Sequence, residues 1–140
     1  MCGICGFQIY EDNNYSLDEL KKITNTIKHR GPDEESHWQC RKENVYLGHQ
    51  RLSIIDLSSS GSQPMISWNK RFVIAFNGEI YNYKKLAKEN KLFINKNISS
   101  DTRLLLEIIS LYGICNAVSS LNIIFTLFVL SGLVANPYSL

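Results

Sequence analysis

The sequence predicts an α+β domain in which short antiparallel strands pack with two or three amphipathic helices. Three observations lead there. Apolar runs at 36–39, 44–49, 52–57 and 71–76 are short and separated by polar turns, a spacing that favours antiparallel strands over β-α-β units. Helical periodicity appears in Leu17, Leu20, Ile23 and Ile27, and again in Leu104, Leu105, Ile108 and Leu111. The chain has 140 residues, 44% hydrophobic and 20% charged, which suits one globular domain able to bury a core and argues against disorder.

Residues 2–10, CGICGFQIY, are apolar and read as a buried first strand. Ser16 and Glu19 have the spacing of a capping box, so a helix is expected over 17–29, ended by Gly31-Pro32. The four strand runs follow, with loops at 58–62 and 68–70. A short helix is expected over 83–89 and a longer one over 102–112, capped by Ser100 or Asp101. The stretch 121–135 is almost wholly apolar but shorter than the ~20 residues of a membrane span. It reads as a buried strand followed by a turn, with a membrane-associated segment as the alternative.

The net charge of +2 is small and no run of five like charges occurs, so neither nucleic acid nor a charged membrane surface is an expected partner. The amino terminus lacks the basic and apolar regions of a secretion signal. A cytoplasmic chain with reduced thiols is therefore expected. Cys2 and Cys5 have C-x-x-C spacing, readable as a redox pair or half a zinc site. No second pair follows, and His29, His37 and His49 lack the spacing of a ligand pair, so no metal is expected.

Three features carry chemistry. Cys2 follows the initiator Met, and removal of Met1 would leave its thiol beside its own α-amine. Their ordinary pKa values, ~8.5 and ~7.7–8.0, make proton transfer between them nearly thermoneutral. Against this, a free Cys is commonly a small buried hydrophobe. Asn77 and Gly78, in Phe76-Asn77-Gly78-Glu79, offer a side-chain and an unhindered backbone N–H, the makings of an oxyanion hole. Asn-Gly is equally the strongest hairpin-turn signal. Arg51 could clamp a carboxylate, and Glu79 with Asp101 could hold an ammonium, which together would fit an α-amino acid. Each could instead be a surface ion-pair partner or a cap.

The start MCGICGF, HRGPD at 29–33, LGHQRLSIIDL at 47–57, QPM at 63–65, FNGEIYNY at 76–83 and SDT at 100–102 resemble the class II, amino-terminal-nucleophile glutamine amidotransferases. Within them, the motifs are similar to the glutamine-hydrolysing asparagine synthetases and their relatives in polysaccharide biosynthesis. The resemblance covers about residues 1–125. It implies a four-layer α/β/β/α sandwich of two antiparallel sheets. It also implies Cys2 as nucleophile, Asn77 and Gly78 as oxyanion hole, and Arg51 as the grip on the glutamine α-carboxylate. Leu52, Ser53, Ile54 and Ile55 would line the pocket, and Glu79 and Asp101 would lie near the α-ammonium. His29 to Asp33 would form a structural loop beside the nucleophile.

The implied reaction hydrolyses the glutamine side-chain amide through a Cys2 thioester, releasing glutamate and ammonia. It requires no cofactor; ATP and magnesium would serve only a synthetase domain, normally in the same chain. Departures begin near the end. Ile123 stands where the family has Gly, and no acidic residue follows Ser131-Gly132. Residues 1–140 thus read as a C-terminally truncated glutaminase domain, with a divergent apolar tail over about 123–140 and no synthetase domain. The ammonia acceptor and a homodimer are left open. Two alternatives stand beside this reading: an inactive glutamine-binding or regulatory domain, and a non-functional, misfolded fragment.

Overall fold

The computed structural model describes residues 2–10, 16–53, 59–89, 98, 100–121 and 123–131. Its elements are β1 (Gly3–Gln8), α1 (Leu17–Thr26), β2 (Glu34–Cys40), β3 (Val45–Arg51), β4 (Met65–Ile66), β5 (Phe72–Ile80), α2 (Tyr83–Glu89), α3 (Asp101–Tyr112), α4 (Ile114–Ser120) and β6 (Ile123–Ser131). The strands form two antiparallel sheets, in the orders β1-β3-β2 and β4-β5-β6.

The capping box starts α1 as its residues predict. Asp18 N donates to Ser16 Oγ at 3.2 Å, and Ser16 N donates to the Glu19 carboxylate at 2.9 Å. The helix ends at Thr26 rather than 29, and Lys28–Arg30 tighten into a 3-10 turn. Gly31 is extended, φ −161°, as the residue before a proline prefers, so the helix has to unwind before it. The helix lies against the first sheet. Thr24 Oγ1 meets Cys5 Sγ at 3.3 Å, and Gln50 Nε2 donates to Thr24 O at 3.2 Å. A Cβ at Gly48 would sit 2.1 Å from Thr24 Oγ1, so this close approach requires glycine.

Strand alternation then assigns the two faces of that sheet. Cys5, Gly48 and Gln50 face α1. Ile4, Val45, Leu47, His49 and Arg51 face the other way, as does Glu34, which pairs directly across from Arg51. In the second sheet, Phe72, Ile74, Phe76 and Ile80 join Met65 and the α3 residues Leu104, Leu105, Leu106, Ile108 and Ile109 in one core. Val73 and Ala75 alternate with them and are also buried, at 0% and 1% exposure, so the opposite face of β5 is covered too. That cover is the first sheet, since β1 and β3 both have Cα atoms within 8 Å of β5. The layers run α1, sheet, sheet, α3, the α/β/β/α order that the resemblance implied.

Elsewhere the structure departs from the expectations or decides between them. The strand expected over 52–57 does not continue β3: Leu52 and Ser53 are irregular backbone, and 54–58 lie outside the described residues. β5 runs on to Ile80, so Asn77-Gly78 is not a hairpin turn; Asn77 pairs with Thr126 and Gly78 with Phe125 of β6. A distant strand overrides the local turn signal. Ser100, not Asp101, is the N-cap of α3, accepting from Arg103 N at 3.2 Å. Helix α4 was not anticipated. Its sequence, ICNAVSS, has weak helix formers and no side-chain cap, and the burial of Ala117 in the core around α3 holds it. The apolar tail forms strand β6 over Ile123–Ser131, and the part beyond it falls outside the described residues. Among the described residues, no helix is long and apolar enough to cross a membrane.

Candidate active site

Cys2 lies one residue before β1. The ladder pairs Gly3 with Gln50 and Ile4 with His49, so one further step sets Cys2 opposite Arg51 on the same face of the sheet. Its sulfur sits on the backbone of the next residue. Leu52 N donates to Cys2 Sγ at 3.4 Å, and the thiol lies 3.9 Å from Leu52 O. Cys5, three residues along the strand, points to the opposite face. It packs half-buried on Thr24 and Gly48, and burial raises its thiol above the ordinary range. The C-x-x-C spacing therefore does not bring the two sulfurs together, and both thiols are free. Among the described residues, no group of three or more His, Cys, Asp or Glu could hold a metal ion.

Arg51 ends β3 and is 7% exposed. Its Nη1 donates to Glu34 Oε2 at 3.0 Å. Glu34 also accepts from Ser36 Oγ at 3.2 Å and from the Ser62 side chain. Burial pushes the Glu34 carboxyl up, but the hydrogen bonds from Ser62, Arg51 and Ser36, with the charge of Arg51, outweigh it and hold the carboxyl below its usual range.

The HRGPD segment clips this corner together. Asp33 N donates to Arg51 O at 3.1 Å, and Asp33 Oδ2 accepts from Ser53 N at 2.7 Å. A Cβ at Gly31 would come 2.4 Å from Gln50 O, so only glycine lets the loop press on β3. These contacts explain why β3 stops at Arg51. The Leu52 and Ser53 N–H groups are used by the Cys2 sulfur and the Asp33 carboxylate, not by a neighbouring strand.

On β5, alternation turns the Asn77 and Glu79 side chains to the same side as Val73 and Ala75, toward the first sheet. Asn77 is half-buried and Glu79 exposed. Three even-numbered N–H groups of β5 donate away from β6: Phe72 to Ser67 Oγ at 3.0 Å, Phe76 to Gln63 Oε1 at 2.6 Å, and Ile80 to Asp101 Oδ2 at 3.2 Å. Antiparallel alternation points the Gly78 N–H to that same edge, between Phe76 and Ile80 and past the end of β4. Asp101 also accepts from Thr102 N at 2.7 Å, so it fastens the start of α3 to the strand beside Glu79.

The candidate residues thus fall into two groups on facing sheets. Cys2, Arg51, Leu52 and Ser53 gather at the end of β3. Asn77, Gly78, Glu79 and Asp101 gather at the end of β5. Ile54 and Ile55 lie outside the described residues. Sequence reasoning missed Gln63, which is 7% exposed and holds the Phe76 N–H just before Asn77; its only signal was its place in QPM. It also missed the Glu34–Arg51 pair, which requires the strand register to be known.

His49 was likewise missed. It lies two residues before Arg51 on the inner face, 1% exposed, and its Nε2 is buried without a hydrogen-bond partner among the described residues. Burial pushes its pKa down to about 4, opposed by Glu34 and reinforced by Arg51. In the unfolded chain His takes its proton near 6.5. Between those values the unfolded state binds more protons, so stability is lost as pH falls from ~6.5 toward ~4. We expect a loss of about 2–3 kcal/mol between pH 7 and pH 4.5 from this residue. Urea unfolding of the parent and of His49→Gln at both pH values measures it. Parallel pH dependence in the two proteins would exclude His49 as the source.

The chain belongs to the glutamine amidotransferase domain family, whose description matches residues 1–134. Among its relatives, the putative glutamine-hydrolyzing asparagine synthetase 2 of Methanocaldococcus jannaschii is 34% identical over 129 residues, covering 81% of this chain and 24% of the relative. The probable glutamine-hydrolyzing asparagine synthetase of Acanthamoeba polyphaga mimivirus is 35% identical over 124 residues, covering 87% and 22%. The protein named amidase chry2 of Gibberella zeae is 35% identical over 128 residues, covering 81% and 18%. The chain therefore matches only about a fifth to a quarter of the length of these relatives.

Proposed function

We propose that this chain is the glutamine-hydrolysing part of an asparagine-synthetase-like amidotransferase, with Cys2 as an amino-terminal nucleophile. The observation that carries the reading is the place of the Cys2 sulfur: against the Leu52 backbone, opposite a buried Arg51, on a sheet that faces Asn77 and Glu79. The α-amine of Cys2 takes the thiol proton. The sulfur then bonds to the side-chain carbonyl carbon of glutamine, and the carbonyl electrons move onto oxygen. Asn77 Nδ2 and the Gly78 N–H stabilise that oxyanion; each such donor is worth ~10²–10³ in rate. Collapse returns the proton to the leaving nitrogen and expels ammonia. Water, deprotonated by the same amine, cleaves the thioester and releases glutamate.

Arg51 receives the substrate α-carboxylate, and Glu79 and Asp101 surround its α-ammonium. Leu52 and Ser53 line the pocket; Ile54 and Ile55, expected beside them, lie outside the described residues. No cofactor enters this half-reaction. An ATP- and magnesium-dependent synthetase domain, in the same polypeptide, would consume the ammonia. A reduced compartment, the cytoplasm, suits a free thiol nucleophile.

Glutamate release from glutamine, measured with and without ATP and aspartate, tests the reading. We expect release at the same rate in both and no asparagine. Asparagine formation by this chain alone, or no glutamate release at all, would contradict it.

A further inference from the structure

We propose that Glu34 is a positioning residue for substrate recognition: it holds the Arg51 guanidinium in the orientation that receives the glutamine α-carboxylate. The inference rests on the reading of Arg51 given above and deepens it. Arg51 is 7% exposed, and a cation removed from water needs a partner close by. Glu34 is such a partner by construction. The two residues pair directly across β2 and β3, on one face of the sheet, and Nη1 reaches Oε2 at 3.0 Å.

The carboxylate is itself held. Ser36 Oγ donates to Oε1 at 3.2 Å, and the Ser62 side chain supplies a further hydrogen bond. A long guanidinium stem loses rotamer freedom here once, in folding, and not again on each binding event. A guanidinium is a planar, rigid fork, and Glu34 meets it at Nη1. Fixing one corner of a planar group restricts its plane, and with it the direction from which a carboxylate is met.

A merely structural Glu34 would affect all ligands alike, whereas a residue acting through Arg51 affects only those with an α-carboxylate. The test compares glutamine with 4-aminobutanamide, which is glutamine without that carboxylate. Dissociation constants for both are measured on the parent chain, Glu34→Gln, Glu34→Asp and Arg51→Ala, each carrying Cys2→Ala so that glutamine is not consumed, with thermal melts as the folding control. Gln keeps the shape of Glu34 and removes its charge; Asp keeps the charge and shortens the reach.

We expect Glu34→Gln to weaken glutamine binding about tenfold, as loss of a charged hydrogen bond would, and to leave the analogue unchanged. Glu34→Asp should fall between parent and Gln, and it carries the comparison if the Gln variant does not fold. Equal effects on both ligands, or no effect on either, would overturn the proposal. If Arg51→Ala leaves the preference for glutamine over the analogue intact, the Arg51 reading fails instead. A parent chain that binds no glutamine contradicts both.

Discussion

Cys2→Ala is expected to abolish glutamine hydrolysis and to leave the fold nearly as stable as the parent. Cys2 stands before the first ladder pair of β1, and among the described residues its sulfur makes weak hydrogen-bond contacts to Leu52, at 3.4 and 3.9 Å. Truncation there removes one small group from a half-buried position, so the stability change should stay under about 1 kcal/mol. The chemical loss is of another order. In the proposed mechanism no thioester can form without the sulfur, and Asn77 and Gly78 then have no covalent intermediate to stabilise. Cys5→Ala provides the contrast, because Cys5 faces α1 and packs on Thr24 and Gly48. That change should act through packing, on the urea midpoint more than on turnover per folded molecule. Glutamate release and urea unfolding of both variants check this. Hydrolysis surviving in Cys2→Ala would move the nucleophile elsewhere.

Arg51→Lys is expected to weaken glutamine binding far more than a like-charge replacement suggests. Lysine carries its charge on one ammonium and cannot present two parallel N–H groups to a planar carboxylate. It also cannot keep the Nη1 contact to Glu34 at 3.0 Å and face the substrate with the same fixed plane. Loss of one charge-assisted hydrogen bond costs about 1.5–3 kcal/mol, or roughly 10- to 150-fold in affinity. Equilibrium binding of glutamine to the parent and to the variant, both carrying Cys2→Ala to prevent turnover, measures the change. Affinity that does not move would take Arg51 out of the site.

Much of this architecture is legible in the residues. The Ser16–Glu19 box marks the start of α1, and the periodic leucines and isoleucines mark α3, because helix signals are local. Strand signals depend on partners. The Asn77-Gly78 pair reads as a turn until β6, far along the chain, supplies the ladder that keeps β5 extended through Ile80. The run after Arg51 reads as a strand because its apolar content is high. Its Leu52 and Ser53 N–H groups are in fact taken by Cys2 and Asp33, which no window of sequence shows.

The motif residues of the candidate site could be named from the sequence. The groups that hold them could not. Glu34 beside Arg51 follows from the β2–β3 register, and Gln63 under Phe76 from a loop that folds back on β5. His49 sits inside the LGHQRLSIIDL motif, yet the burial of its Nε2 without a partner among the described residues is a property of the packed sheets.

The most direct test of the amino-terminal-nucleophile account compares two forms of the same chain. One is processed, with its mass showing loss of Met1; the other carries an extension that cannot be removed. Both keep the Cys2 sulfur, Arg51 and the β5 edge. Only the first has a free amine on Cys2 to take the thiol proton and return it to the leaving ammonia. The account predicts that the processed form releases glutamate and that the extended form, folded to the same thermal transition, does not. Equal rates of glutamate release from the two would contradict it.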